Sequence, residues 1–329
     1  MTTHAAPPTL ATIQAPVEAR LDATLEQLRR ALIADFPPVA EVNHYLLQVR
    51  GKLFRPTLLL LANEVGDRPS EAAETLAAVV ELVHLATLVH DDAVDHSVLR
   101  RGMPTVNSTW SHQVAVIMGD YLYSRAMSEL ARLGEIEPIR VLATAANAMT
   151  VGEMRQLSAH DALTFSEADY DRLIASKTAS LIGAACEMGA LVGAAELRAP
   201  LADFGRELGM AFQIVDDLLD YTADEAVTGK PSGLDLREHK VTLPLIAVLP
   251  RLTGSERREV EQFFADPHPR DHAIHRLTEL VRAHGGLDYA RGRALEHGRQ
   301  AADALAALPA GAPVEALRDS ISYVLERRY

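Results

Sequence analysis

Twice in 329 residues an apolar run ends in the pattern D-D-x-x-D. LVHLATLVHDDAVD carries Asp91, Asp92 and Asp95, and AFQIVDDLLD carries Asp216, Asp217 and Asp220. On a helix, residues i and i+4 share a face and i+1 lies about 100° round. Asp91 therefore points with Asp95, and Asp216 with Asp220. Like charges so placed weaken a helix by about 0.2–0.5 kcal/mol per pair, and by more where water is withdrawn. Both clusters end segments greasy enough to be buried, so a cation is the natural partner. The donors are hard oxygens, with no Cys and no paired His, which selects Mg²⁺ over zinc or copper. Mg²⁺ held by one or two carboxylates keeps positions free for phosphate oxygens.

The rest of the chain is compatible with helices alone. Apolar residues recur with helical period from Ile13 to Phe36, with Leu21, Leu25, Leu28, Leu32 and Ile33 on one face, and Pro37-Pro38 stops the run. Further helices are expected over about 56–65, 70–99, 108–133, 138–161, 167–194 and 200–223, then 242–251, 255–264, 270–284, 286–307 and 313–328. Ser70 reads as an N-cap, and Ser166 with Asp169 as a capping box. Residues 224–240 (DEAVTGKPSGLDLREHK) are polar, rich in Gly and Pro, and read as a functional loop. No stretch alternates with strand period and no repeat is visible. The expectation is an all-α fold: a disordered tail over 1–12, then one helical domain over 13–329. Aromatic residues are 5% of a composition rich in Ala and Leu, which agrees.

The net charge of −13 argues against nucleic acid as the main partner. One cysteine, Cys186, excludes an intrachain disulfide and fits a cytoplasmic location. The start lacks the charged and apolar regions of a signal peptide. No uninterrupted apolar run reaches the length of a transmembrane segment.

A polyanionic substrate would still need local cations, and the sequence supplies them in unusual places. Lys52 and Arg55 stand in the RGKLFRP turn, and Arg100 and Arg101 follow the first acid cluster. Lys177 and Thr178 interrupt an apolar helix, and Lys230 and Lys240 bracket the polar loop. Arg offers a planar fork to phosphate and Lys a point charge. Together they read as two anion pockets flanking a metal site.

With these motifs in order (GKLFRP, LVHLATLVHDDAVDHSVLRRGMPTVN, GDYLYSRA, KTASL, AFQIVDDLLDY and GKPSGLDLREHKVTLPL), the chain resembles the trans-type, head-to-tail isoprenyl diphosphate synthases. The resemblance runs from about Leu21 to the C-terminus. Among members it is most similar to bacterial medium- and long-chain polyprenyl synthases, the octaprenyl type in particular. It implies an isoprenoid-synthase-type bundle around a central apolar cavity, and a homodimer. It also implies about three Mg²⁺ ions on the six aspartates, holding an allylic diphosphate. Arg100, Lys177, Thr178, Gln213, Lys230 and Lys240 would touch that diphosphate; Lys52, Arg55, His84 and Arg101 would bind isopentenyl diphosphate. Catalysis would fall to Asp91, Asp92, Asp95, Asp216 and Asp217 with Lys177, Lys230 and Lys240. Leu53 departs from the family pattern, which usually has a basic residue there.

The implied reaction ionises the allylic C–O bond, with the cations stabilising the leaving diphosphate. The double bond of isopentenyl diphosphate attacks the allylic cation and a proton is lost. An apolar wall must exclude water. If the first aspartate helix lines the product tunnel, Ala86 and Thr87, small residues one turn before Asp91, face the growing chain, followed by Val83, Val79 and Val80. Met118, Leu122 or Met149 could supply the floor. One turn is about 5.4 Å, on the order of one isoprene unit. The expectation is an all-trans product of about C30–C50 for a quinone side chain. The alternatives are a shorter-chain (farnesyl or geranylgeranyl) synthase, a class I terpene cyclase, and a di-iron bundle using Glu41-x-x-His44 and Glu81-x-x-His84.

Overall fold

A computed structural model describes residues 7–48, 51–66, 68–157, 162–222 and 233–327. The helices are α1 (Leu10–Gln14), α2 (Glu18–Ala31), α3 (Pro37–Gln48), α4 (Phe54–Glu64), α5 (Ala72–Val94), α6 (Val106–Thr109), α7 (His112–Arg132) and α8 (Ile136–Leu157). They continue as α9 (Glu167–Ile174), α10 (Ser180–Gly193), α11 (Arg198–Thr222), α12 (Leu234–Arg237), α13 (Leu243–Val248), α14 (Gly254–Ala265), α15 (Asp271–Ala283), α16 (Gly286–Ala304) and α17 (Ala312–Leu325). The all-α expectation holds, with one small exception. Leu99–Arg100 (β1) and Met103–Pro104 (β2) form a two-residue antiparallel hairpin.

Two helices make the centre. α5 packs against α2, α4, α7 and α10, and α10 packs against α4, α8 and α11. Both are apolar on nearly all sides, as fully surrounded helices must be. Leu76, Val79, Val80 and Leu82 of α5 and Ile182, Cys186 and Met188 of α10 are buried. α10 approaches α4 so closely that a Cβ at Gly189 would lie 2.1 Å from the Leu59 carbonyl oxygen. α17 closes one side, where Phe54 stacks on Phe212 at 6.0 Å and meets Tyr323.

Several boundaries differ from the sequence reading for local reasons. Residues 1–6 of the expected tail lie outside the described residues, but the helix starts at Leu10, where Thr9 and Thr12 form a capping box. The period from Ile13 to Phe36 is broken by a 3₁₀ turn at Ala15–Val17 and ends at Ala31, which leaves Ile33 73% exposed rather than on the buried face. Pro37-Pro38 not only stops a helix. It opens α3, where proline's fixed φ suits a first turn. α5 ends at Val94, not Leu99. The expected helix over 108–133 is interrupted at Trp110, and Ser111 caps α7. The capping box of Ser166 and Asp169 is present.

Candidate active site

The two acid clusters end α5 and α11, and one aspartate of each, Asp95 and Asp217, lines a shared cavity of about 900 Å³. Asp95, Glu153, Lys177, Thr178, Gln213, Asp217, Asp235 and Lys240 are among its lining residues. α5 delivers the first cluster and α11 the second; Lys240 spans towards the first, with Nζ 3.3 Å from Asp95 Oδ2. Lys177 sits in a π-helical segment, Ala175–Ala179, between α9 and α10. Such one-turn bulges recur at functional sites because they redirect a side chain from the regular spiral. Here the ammonium is turned towards α8, 2.5 Å from Glu153 Oε2 and 3.1 Å from Gln156 Oε1.

The six aspartates are not equivalent. Asp92 is buried and clamped by Arg100, whose Nε donates to both oxygens at 2.8 and 2.9 Å. Arg100 therefore pairs with Asp92 rather than with Asp95. Asp217 is buried and accepts from Tyr170 Oη at 2.6 Å and Gln213 Nε2 at 2.8 Å. Gln213 in turn accepts from Thr178 Oγ1 at 2.7 Å. Asp220 accepts the Leu234 and Asp235 backbone N–H groups at 2.9 and 3.0 Å, capping α12. Asp91, Asp95 and Asp216 are more open: Asp95 and Asp216 are exposed, and Asp216 reaches Arg327 at 3.5 Å.

Burial and crowding set the charges. Burial raises the Asp91 carboxyl above its usual range; Lys177 opposes this, while Glu153 and Asp95 add to it. Burial also raises Asp217, to about 7, despite its hydrogen bonds from Tyr170 and Gln213. Asp235 is pushed well up by burial and by the facing Asp217 and Asp220. Added positive charge would relieve this cluster. Among the described residues no group of three or more acids, His or Cys closes on one point. The same observation leaves the di-iron pairing of Glu41, His44, Glu81 and His84 without a cage.

A second set of basic residues gathers around the turn before α4. Arg55 is the second residue of α4 and donates from Nη1 to His84 Nε2 at 3.1 Å. Burial lowers the Arg55 pKa to about 10 and holds His84 well below its usual value, so the imidazole is neutral and accepts. Lys52 is exposed and lines an adjacent cavity of about 700 Å³ with Gly51, Glu81 and Leu85. Arg101 reaches the same turn: a Cβ at Gly51 would lie 3.3 Å from its Nη1 and 3.0 Å from Glu81 Oε1.

Backbone strain marks both pockets. The non-glycine residues with positive φ, among those described, are Leu53, His96, Arg101 and His239. Leu53 lies between Lys52 and Arg55, His96 follows Asp95, and His239 precedes Lys240. A left-handed conformation costs a non-glycine residue about 1–3 kcal/mol and persists where the surroundings enforce it.

Lys230 lies outside the described residues. Val83 and Ala86 are buried in the core, and Thr87 bonds its own helix through the His84 carbonyl at 2.8 Å; none of the three lines either cavity. Met118, Leu122 and Met149 are buried in the same core. Sequence reading missed Glu153, Tyr170, Asp235 and Arg327, and gave Glu81 only as a di-iron candidate. Glu81 did carry a signal, as a lone acid inside an apolar helix.

Opposed aspartate clusters with two basic pockets suit a substrate that carries diphosphate, and comparison with known proteins agrees. The polyprenyl synthetase family model matches residues 37–281. The chain belongs to the polyprenyl synthetase family. It is 37% identical to the all-trans-nonaprenyl-diphosphate synthase (geranyl-diphosphate specific) of Rhodobacter capsulatus, over 96% of this chain and 97% of that one. It is 37% identical to the octaprenyl diphosphate synthase of Escherichia coli, over 87% and 88% of the two chains. A polyprenyl synthase from Caulobacter crescentus, solved with calcium and isoprenyl diphosphate, superposes with a TM-score of 0.93 at 32% identity, covering 99% of this chain and all of that one. The family and these relatives make the chain a prenyltransferase of the all-α isoprenoid synthase fold.

Proposed function

We propose that this prenyltransferase extends an allylic diphosphate head to tail with isopentenyl diphosphate, releasing an all-trans polyprenyl diphosphate of about C30–C50. The observation that carries the reading is that Asp95 of one D-D-x-x-D cluster, Asp217 of the other and Lys177 line one cavity, with Arg55 and His84 paired as a separate basic site. Two pockets fit a two-substrate condensation better than cyclisation of one diphosphate. The long product is supported by small residues at Ala86 and Thr87 and by the long-chain relatives.

Asp91, Asp95 and Asp216 would hold the metal, with Mg²⁺ favoured by the hard oxygen donors and a count of about three. When bound, Mg²⁺ supplies charge stabilisation to the departing diphosphate. Asp92, Asp217 and Asp220 also fix Arg100, Gln213 and the turn that carries Asp235. Lys177, Thr178, Gln213, Arg100, Lys240 and Lys230 orient the allylic diphosphate, and Lys177 exchanges Glu153 for substrate oxygen. Lys52, Arg55, His84 and Arg101 hold the second diphosphate. The apolar wall keeps water from the allylic cation.

The helices form one domain. A second copy packs on the exposed apolar side chains of α7 and α8, where Ile117, Met154 and Leu157 are 63%, 57% and 54% exposed. α5 has the length and apolarity to cross a membrane but is mostly buried in the fold. With its single thiol buried, the protein suits the cytoplasm, and its product suits quinone side chains.

The test is release of diphosphate from isopentenyl plus geranyl or farnesyl diphosphate. It should require Mg²⁺, stop with EDTA, and fall by about 10³-fold or more in Asp91→Ala and Asp216→Ala. Turnover undiminished by EDTA or by either substitution would exclude the reading.

A further inference from the structure

We infer that Glu81 is the positioning residue of the second diphosphate pocket, its buried carboxylate fixing the guanidinium groups of Arg55 and Arg101 for substrate. The inference rests on the two-pocket reading above and assigns a role to an acid that reading does not use. Glu81 is 4% exposed, in the middle of the apolar helix α5. An isolated carboxylate there would cost several kcal/mol, so a buried charge needs partners. Burial raises its pKa, while Arg55 and Arg101 pull it back down. The attraction is mutual: Glu81 counters the effects of burial and of Arg101 on Arg55.

The geometry makes Glu81 the shared point of three elements. Arg55 comes from α4, Arg101 from the hairpin that follows α5, and Gly51 from the turn before α4. Glu81 Oε1 and Arg101 Nη1 converge on the space a Gly51 side chain would fill. His84, one turn along α5 from Glu81, takes one Arg55 donor, and the buried Arg55 Nε finds no partner among the described residues. Two guanidinium groups side by side repel and would spread apart without an anion behind them. The allylic pocket has aspartates and metal to organise it. The second pocket must hold its diphosphate by direct cation contact, so the orientation of Arg55 and Arg101 has to be built into the protein.

Removing the Glu81 charge has two opposed effects. It makes the pocket more positive, which favours a diphosphate, and it frees two long side chains, which disfavours one. Orientation is the larger effect. The experiment is steady-state kinetics and calorimetric binding of isopentenyl diphosphate, with Glu81→Gln and Gly51→Ala beside wild type, and Tm measured as a check on folding. Both variants should raise the KM and Kd for isopentenyl diphosphate by about tenfold. The KM for the allylic substrate and kcat should stay within about twofold. Gly51→Ala leaves the charge in place but presses on Glu81 and Arg101, so it reports on orientation even if Glu81→Gln folds poorly. An unchanged or lower KM for isopentenyl diphosphate, or equal rises in both KM values, would overturn the inference while leaving the synthase reading intact. A wild type that neither binds nor condenses isopentenyl diphosphate would overturn both.

Discussion

Asp92 and Asp217 differ from Asp91 and Asp216 in what already occupies their oxygens. Arg100 holds one, and Tyr170 with Gln213 the other. The spacing D-D-x-x-D was enough to place all six carboxylates near two helix ends, because a 3.6-residue period fixes direction. It could not say which ones already have partners, since those partners are distant in sequence: Tyr170 is 47 residues from Asp217. Tyr170→Phe should therefore act indirectly. It leaves a buried carboxylate oxygen short of a donor, at a cost of about 1–3 kcal/mol, yet should lower kcat less than Asp216→Ala does. Kinetics of the two variants side by side check this; an equal loss would place Asp217 among the direct metal ligands. Glu81 illustrates the opposite limit. Its sequence neighbours suggested a metal motif with His84, whereas the fold gives both residues to arginines.

At the scale of elements, caps and interruptions decide the boundaries that period alone leaves open. The Ser166–Asp169 box starts α9, which leads into the π segment carrying Lys177. Hydrogen bonds from the Ser166 side chain, then from Arg172 and the Ser166 backbone, hold the Asp169 carboxyl at about 2. A carboxyl depressed in the folded state contributes stability above its unfolded value, near 4, and loses it as pH falls through about 2. Ser166→Ala should lower Tm by about 2–4 °C at neutral pH. The gap from wild type should narrow as pH falls from about 4 towards about 2. Thermal melts across that range check it; a gap that widens in acid would contradict the assignment. α3 escaped the sequence reading because a proline pair that ends one helix is equally suited to begin the next. The π segment escaped because five residues of altered winding leave the apolar pattern almost unchanged.

For the whole molecule, the overall class was legible because almost every segment carries helical period and a buried face. The route of a growing chain was not. Val83 and Ala86 are buried in the core, and neither they nor Thr87 line either cavity. If that face of α5 is the tunnel wall, Thr87→Phe should shorten the product by one or more isoprene units, read by mass spectrometry; an unchanged length would move the tunnel elsewhere. The central claim has a more direct test. Purified protein with Mg²⁺ and isopentenyl diphosphate would be given dimethylallyl, geranyl, farnesyl and geranylgeranyl diphosphates in turn, and its products resolved by mass spectrometry. The account predicts metal-dependent linear prenyl diphosphates of about C30 or longer, absent with Asp91→Ala and Asp216→Ala. A cyclic hydrocarbon, or no condensation with any primer, would contradict it.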